Sequence, residues 1–391
     1  MTLADKARAA APTLTAADAP GGARGRLTEE AWAALQATGV LQALQPRRWG
    51  GGETSIVEYA DAIIELGRSS ASAGWVSSVV GVHPWQIALF PEETQAELWA
   101  DTPDRAIASS YTPTGKIEKV AGGYQVSGRW SFSSGIEWCE GVILGGIAGT
   151  REIAGTEYPD FTSVILDRAD YRVERTWNVA GLRATGSNDV VVDGVFVPER
   201  RGQSHLFYTH GLGTPLPGQE LNDGALYRVP WAVLFNLIIA AGAVGAVQGF
   251  VDTWVAETRT RRTNYGQLLR EEGLVQNHLA QAQWQLDAAT LKIRRAAVEL
   301  LEYAEAREIP SLEQRAFYRW DVARGANAAA DAAQALMRVS SGRTAFTDHP
   351  LQSKYQDVVA ATSHAFLYAD PLGRAWAGRH LGAEQLVAVH L

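Results

Sequence analysis

The sequence predicts an α+β chain with an N-terminal helical domain, a central antiparallel β-barrel-like domain and a C-terminal four-helix bundle. Two observations carry that prediction. Apolar residues recur at helical spacing up to about residue 100 and again from about residue 228, but alternate with period two between about 106 and 198. The chain has 391 residues, 46% of them hydrophobic and 20% charged, which is enough for two or three packed modules and a large core. The boundaries read as 1–105, 106–220 and 221–391, with residues 1–24, rich in Ala and Gly, a candidate disordered segment.

In the first domain, Thr28 precedes Glu29 and Glu30 and then an apolar series through Trp32, Leu35, Val40 and Leu41, the pattern of a capped helix start. A turn follows at Pro46 to Gly52, and helices are predicted over 55–66 and 72–89. In the second domain, residues 124–132 alternate strictly, and 142–147, 162–166, 171–176 and 189–197 read as further strands. Long amphipathic segments over 231–260, 272–307, 312–339 and 351–368 make the bundle. Between sheet and bundle, Gln203 to Arg228 has no clear period and many Gly and Pro, as expected of a loop that covers a site.

Composition narrows the function classes. A net charge of -8 argues against a nucleic-acid-binding surface. The single cysteine, Cys139, excludes an internal disulfide and a multi-cysteine metal site, and reads as a small buried hydrophobe. Eight histidines are scattered; His205 and His210 are close, but no third ligand stands at metal spacing, so no metal is expected. The longest apolar run, 229–247, carries Asn236 and glycines, so no window is expected to span a bilayer, and the N-terminus lacks a signal architecture. A cytoplasmic address follows as an expectation. Walker A, Rossmann and nucleophile-elbow motifs are absent from the sequence.

Phe132-Ser133-Ser134-Gly135 ends a predicted strand, where two hydroxyls can meet the polar edge of a flat ligand, although Ser and Gly also end strands for turn chemistry alone. His83 and His364 each lie in an apolar stretch. Such a histidine is ordinarily a satisfied core residue, but either could move a proton near neutral pH if it lines a pocket. Trp75, Trp85, Trp130, Trp138, Trp177 and Trp231 suit an aromatic-lined cavity or plain core packing.

Three motifs in order resemble the acyl-CoA dehydrogenase superfamily: Gly122 to Gly128 followed by Trp130 to Gly135, Trp177 to Ser187 followed by Val190 to Pro198, and Arg262-Thr263-Asn264-Tyr265-Gly266 with Gln276. The dehydrogenases' glutamate base is missing, since that region reads Gln356 to His364, and the flavin loop reads Phe-Ser-Ser-Gly. Both departures resemble the group D two-component flavin monooxygenases. The segments Pro46 to Gly51, Gly74-Trp75 and Gly81 to Trp85 are most similar to the 3-hydroxy-9,10-seconandrostatrienedione and p-hydroxyphenylacetate hydroxylase subgroup.

That resemblance implies an oxygenase component in a homotetramer. A separate NAD(P)H:flavin reductase supplies reduced flavin, which reacts with O2 to a C4a-hydroperoxide that hydroxylates an aromatic substrate, phenolic or polycyclic by the same resemblance. By the same resemblance Ser133, or secondarily Ser134, meets flavin N5, and His364 deprotonates the phenol. His83 lies near the flavin, Trp85 near the substrate, and Trp130, Phe132, Thr185, Arg262, Tyr265 and Gln276 belong to the cofactor's surroundings. The family's adenine-side glycine motif is replaced by Ser340-Ser341-Gly342-Arg343, which favours FMN over FAD. Two arginines usual before the base are absent in His349 to Asp357. An acyl-CoA dehydrogenase or oxidase, an N- or S-oxygenase, and a catalytically silent paralogue stay open as alternatives.

Overall fold

The computed structural model describes residues 1–153, 155–209 and 215–383. The N-terminal helices are α1 (Leu3–Arg24), α2 (Glu29–Thr38), α3 (Ile56–Ser69), α4 (Ala71–Gly81), α5 (His83–Ile87) and α6 (Glu92–Trp99). Thr28 caps α2 and Ser55 caps α3 by accepting bonds from Ala31 and Glu58 backbone N–H groups.

Residues 1–24 are not disordered. Thr2 and Asp5 form a capping box, and Leu3, Ala7 and Leu14 are buried against the first layer. Arg8 pairs with Glu65 at 2.7 Å, and the Ser70 hydroxyl donates to Asp18 at 2.6 Å. The Ala and Gly content that suggested disorder serves close packing instead: a Cβ on Gly21 would stand 3.0 Å from that of Ala184.

The middle domain contains β1 (Ile107–Ser110), β2 (Lys116–Val120), β3 (Gly123–Ser133), β4 (Gly141–Ile153), β5 (Thr156–Asp167), β6 (Arg172–Glu174), β7 (Asn188–Pro198) and β8 (Gly202–Ser204). They form two four-stranded sheets, ordered β1-β4-β5-β8 and β2-β3-β7-β6. Pairing is antiparallel except for β1 with β4. The indole of Trp130 is fully buried and donates to the Gly145 carbonyl of β4 at 2.8 Å, tying one sheet to the other. Beyond Trp130 the β3–β7 register slips before Ser133, which aims the strand end away from the sheet.

Two short helices, α7 (Leu206–Thr209) and α8 (Pro217–Leu221), lead to the bundle of α9 (Trp231–Thr258), α10 (Gly273–Glu305), α11 (Leu312–Arg338), α12 (Pro350–Thr362) and α13 (Ala369–His380). The covering segment therefore carries short structure where a plain loop was expected, and α13, β1, β2 and β8 were not anticipated. His210 lies outside the described residues. The expectation that no window is apolar enough to span a bilayer is also corrected. Helix α9 is long enough and has a mean hydropathy of 1.9, but 94% of that window is buried, because neighbouring helices surround it on all sides.

The loop 177–187 locks the three layers together. Gly181 lies so close to α12 that a Cβ there would sit 2.0 Å from the Gln356 carbonyl oxygen. The next residue, Leu182, adopts a left-handed φ of 51° and donates its N–H to the Asp357 carboxylate at 2.6 Å. Burial, with Asp18 nearby, pushes the Asp357 carboxyl up to about 7. Its folded value exceeds the ordinary carboxyl value of 3.8, so its contribution to stability is present below 3.8 and lost as pH rises through about 7. Asp357→Asn keeps an acceptor for Leu182 and is expected to flatten that slope, gaining on the parent protein in Tm at pH 8 relative to pH 5. Asp357→Ala strands the Leu182 N–H and is expected to lose about 1–3 kcal/mol in urea unfolding at either pH.

Candidate active site

The end of β3, the loop 177–187, helix α4 and the segment after α12 meet around Ser133, Ser134 and His364. Phe132 takes a left-handed φ of 65°, unusual for an aromatic residue, and Gly135 one of 73°. This turn leaves the Phe132 ring 68% exposed, edge-on to Trp177 at 6.1 Å. The Ser133 side chain is fully buried and its hydroxyl has no partner among the described residues. Ser134 is satisfied: its hydroxyl receives the Trp75 indole N–H at 3.3 Å and bonds Ser187 at 2.8 Å, and Ser187 bonds Thr185 at 2.7 Å.

His364 follows α12 and is half-buried, with its Nδ1 accepting from the Phe366 N–H at 3.2 Å. Its ring stands edge-on to Trp75 at 5.5 Å and to Phe366 at 5.7 Å. Phe366 is edge-on to Trp231 at 5.8 Å, Trp231 stacks on Phe235 at 4.4 Å, and Phe235 stands 6.2 Å from His83. One continuous aromatic wall thus connects the two histidines. Tyr111 closes it, 5.3 Å from Trp231 and 6.2 Å from His83.

His83 is completely buried; its Nδ1–H donates to the Ile107 carbonyl at 2.6 Å and its Nε2 is left without a partner among the described residues. Burial lowers both His83 and His364 to about 4, so both rings are neutral at pH 7. The desolvation comes from layers far apart in sequence, so it cannot be read from the residues flanking either histidine.

Other expected site residues fall elsewhere. Trp130 packs between the sheets with its indole N–H taken by Gly145, so it offers no atom to a cofactor. Trp85 is likewise buried, donating to the Leu226 carbonyl at 2.7 Å, which anchors the covering segment, while its ring stands edge-on to Phe235 of the wall at 6.3 Å. Thr185 supports the hydroxyl relay from behind. Arg262 donates to the Gly266 carbonyl at 2.6 Å and Tyr265 is 93% exposed, so within one chain neither joins the cluster around Ser133. Gln276 lines a surface groove with Val251, Val255 and Leu279, between α9 and α10. Tyr111, Phe235 and Phe366 were missed; nothing in local spacing separates a wall aromatic from a core one.

The arrangement fits a flat heteroaromatic cofactor with one polar edge. It presents an exposed Phe132 ring against a half-buried Trp177, beside a buried hydroxyl with no bonding partner among the described residues. The fold and this site define a flavoenzyme scaffold of one class. Family models for the acyl-CoA dehydrogenase N-terminal domain and C-terminal domain match residues 3–101 and 237–369. The oxygenase subunit HsaA of a flavin-dependent monooxygenase from Rhodococcus jostii is 35% identical, over 87% of this chain and 88% of its own. The oxygenase component of an FADH2-dependent resorcinol hydroxylase from a Rhizobium species is 31% identical, over 90% and 87%. The crystal structure of 3-HSA hydroxylase from Rhodococcus sp. RHA1 superposes with a TM-score of 0.89 at 30% identity, covering 98% of this chain and 97% of that one. The chain belongs to the family of flavin-dependent monooxygenase oxygenase components built on the acyl-CoA dehydrogenase fold.

Proposed function

We propose that this protein hydroxylates a phenolic substrate with O2 and reduced flavin delivered by a separate NAD(P)H-dependent reductase. The observation that carries this reading is a buried Ser133 hydroxyl with no partner among the described residues, next to Ser134, whose partner Trp75 stands edge-on to His364. Ser133, Phe132 and Ser134 would hold the flavin edge. Reduced flavin, when bound, would supply the two electrons that activate O2, from which one oxygen atom goes to the substrate and the other leaves as water.

The protein's share is binding, drying and proton transfer. The Ser133 hydroxyl, buried and without a partner among the described residues, would hydrogen-bond the cofactor's polar edge. Trp75, Trp231, Phe235 and Phe366 exclude water that would divert oxygen to peroxide. With Nδ1 accepting the Phe366 N–H, the neutral His364 ring carries its hydrogen on Nε2 and donates it to the phenol oxygen; to take the phenol proton as base, the ring gives up the Phe366 bond and uses the Nδ1 lone pair. His83, fixed by Ile107, directs a free Nε2 lone pair and can accept a hydrogen bond without becoming charged.

The flavin reading is FMN, because Ser340 and Ser341 replace the glycines of the adenine-side motif; both hydroxyls are used locally, Ser340 toward the Leu336 carbonyl and Ser341 as a helix cap. FAD is the second reading, favoured by the name of the resorcinol hydroxylase relative. The test is to add chemically reduced FMN or FAD to the protein with O2 and a panel of phenols, and weigh the products. One added oxygen atom, dependent on reduced flavin, is expected. Quantitative peroxide with unchanged phenol, for both flavins, overturns the reading.

Assembly as a homotetramer is part of the proposal. Trp284, Leu291 and Val298 stand exposed at seven-residue spacing on one face of α10, which a second copy's helix would cover. Trp284→Glu is expected to shift the mass measured by light scattering toward a smaller species, with secondary structure retained.

A further inference from the structure

Arg319 lies on α11, 4% exposed; its Nε and Nη1 are buried with no hydrogen-bond partner, and no ion pair to it is found, among the described residues. The acids around it are engaged elsewhere. Asp321, two residues on and facing away, takes Lys292 at 2.5 Å and Arg295 at 2.5 Å, and Glu299 accepts from Tyr318 at 2.6 Å. The guanidinium carbon stands 5.2 Å over the Phe366 ring, the same ring that is edge-on to His364 and Trp231. Asn236, fully buried on α9, donates to the Phe366 carbonyl and keeps a free Oδ1 beside it. Burying a cation without a counter-charge costs several kcal/mol. Burial also lowers the Arg319 pKa to about 10. A cation held over the catalytic wall at that cost is a docking point for an anion.

We propose that Arg319 is the specificity-determining residue for an acidic aromatic substrate, binding a carboxylate on the part of the molecule remote from the ring that His364 serves. This rests on the phenol hydroxylase reading above and names its substrate class. The flavin phosphate could present the same oxyanion chemistry, but Arg319 lies on the Phe366 side of His364, away from the Ser133–Phe132 edge. Arg319 is planar and forked, so it grips a carboxylate through two parallel bonds, which lysine cannot reproduce.

The test compares the parent protein with Arg319→Met and Arg319→Lys, using 4-hydroxyphenylacetate and its neutral methyl ester as matched probes. Binding is measured by calorimetry without turnover, and kcat and KM by product mass. The parent is expected to favour the acid at least tenfold, and Arg319→Met to abolish that preference through KM, with Arg319→Lys between them. Arg319→Met is also expected to keep or raise Tm, because it removes an unpaired buried charge. Equal binding of acid and ester by the parent overturns the proposal, even if both are hydroxylated. So does a parallel loss with both probes in Arg319→Met together with a lower Tm, which marks a structural arginine. Weaker binding of FMN with unchanged riboflavin binding in Arg319→Met assigns the guanidinium to the flavin phosphate and likewise overturns it. Carboxylate-selective binding without any oxygenated product supports the anion site and falls instead on the hydroxylase reading.

Discussion

Replacing His364 with alanine is expected to cut phenol hydroxylation by about 10²- to 10⁴-fold, the range that removal of a positioned general base costs. Oxygen consumption driven by reduced flavin should continue, now ending in peroxide. The geometry gives the reason: the ring is held by Trp75 and Phe366, its Nε2–H is the group presented to a substrate oxygen while Nδ1 accepts the Phe366 N–H, and Nδ1 becomes the basic nitrogen once that local bond is released. A pKa of about 4 makes full deprotonation of a phenol near pKa 10 strongly uphill before attack. The proton must move as the oxygen is transferred. Phenols already ionised at assay pH, such as nitrophenols, should therefore recover most of the lost rate in His364→Ala. Product mass per reduced flavin measures this, and equal losses for ionised and neutral phenols would refute the assignment. The parent's rate should show no acidic limb between pH 5.5 and 8. Folding stability carries the opposite signature. Both His83 and His364 are lowered from 6.5, so their contribution is present above pH 6.5 and lost as pH falls through about 4.

Periodicity made the three-layer order legible, because strands and helices impose different spacings on apolar residues. The motif around Ser133 and Ser134 was legible too, since hydroxyls at a strand end stand out from an alternating pattern. What alternation cannot tell is which layer an inward side chain meets. Trp130 and Trp75 look alike in sequence, yet Trp130 joins two sheets while Trp75 reaches Ser134 and His364. The helix α1 was hidden for a related reason: its stability comes from Glu58, Glu65 and Ser70 of later segments, not from its own composition. Arg319 reads in sequence as one cation on an amphipathic helix. Its isolation appears only once Asp321 is seen turned toward Lys292 and Arg295.

Ser133→Ala is expected to leave the fold as stable as the parent, or slightly more so, and yet to uncouple the enzyme. The two effects have one origin. A buried hydroxyl without a partner costs about 1–3 kcal/mol, and alanine relieves that cost while filling nearly the same space. If the hydroxyl exists to meet the cofactor's edge, removing it should send most reduced flavin to peroxide, lowering product per flavin by tenfold or more. Ser134→Ala is the contrasting case. It deletes the acceptor of the Trp75 indole and the partner of Ser187, so it should lower stability by about 1–3 kcal/mol in urea unfolding. Its effect on coupling should be smaller, because Ser134 supports the wall instead of facing the ligand. Parallel measurement of Tm, peroxide and hydroxylated product separates the two serines. A destabilised Ser133→Ala that stays fully coupled would show that its hydroxyl serves the fold. A stable but uncoupled variant ties the one unpartnered hydroxyl at the end of β3 to oxygen transfer.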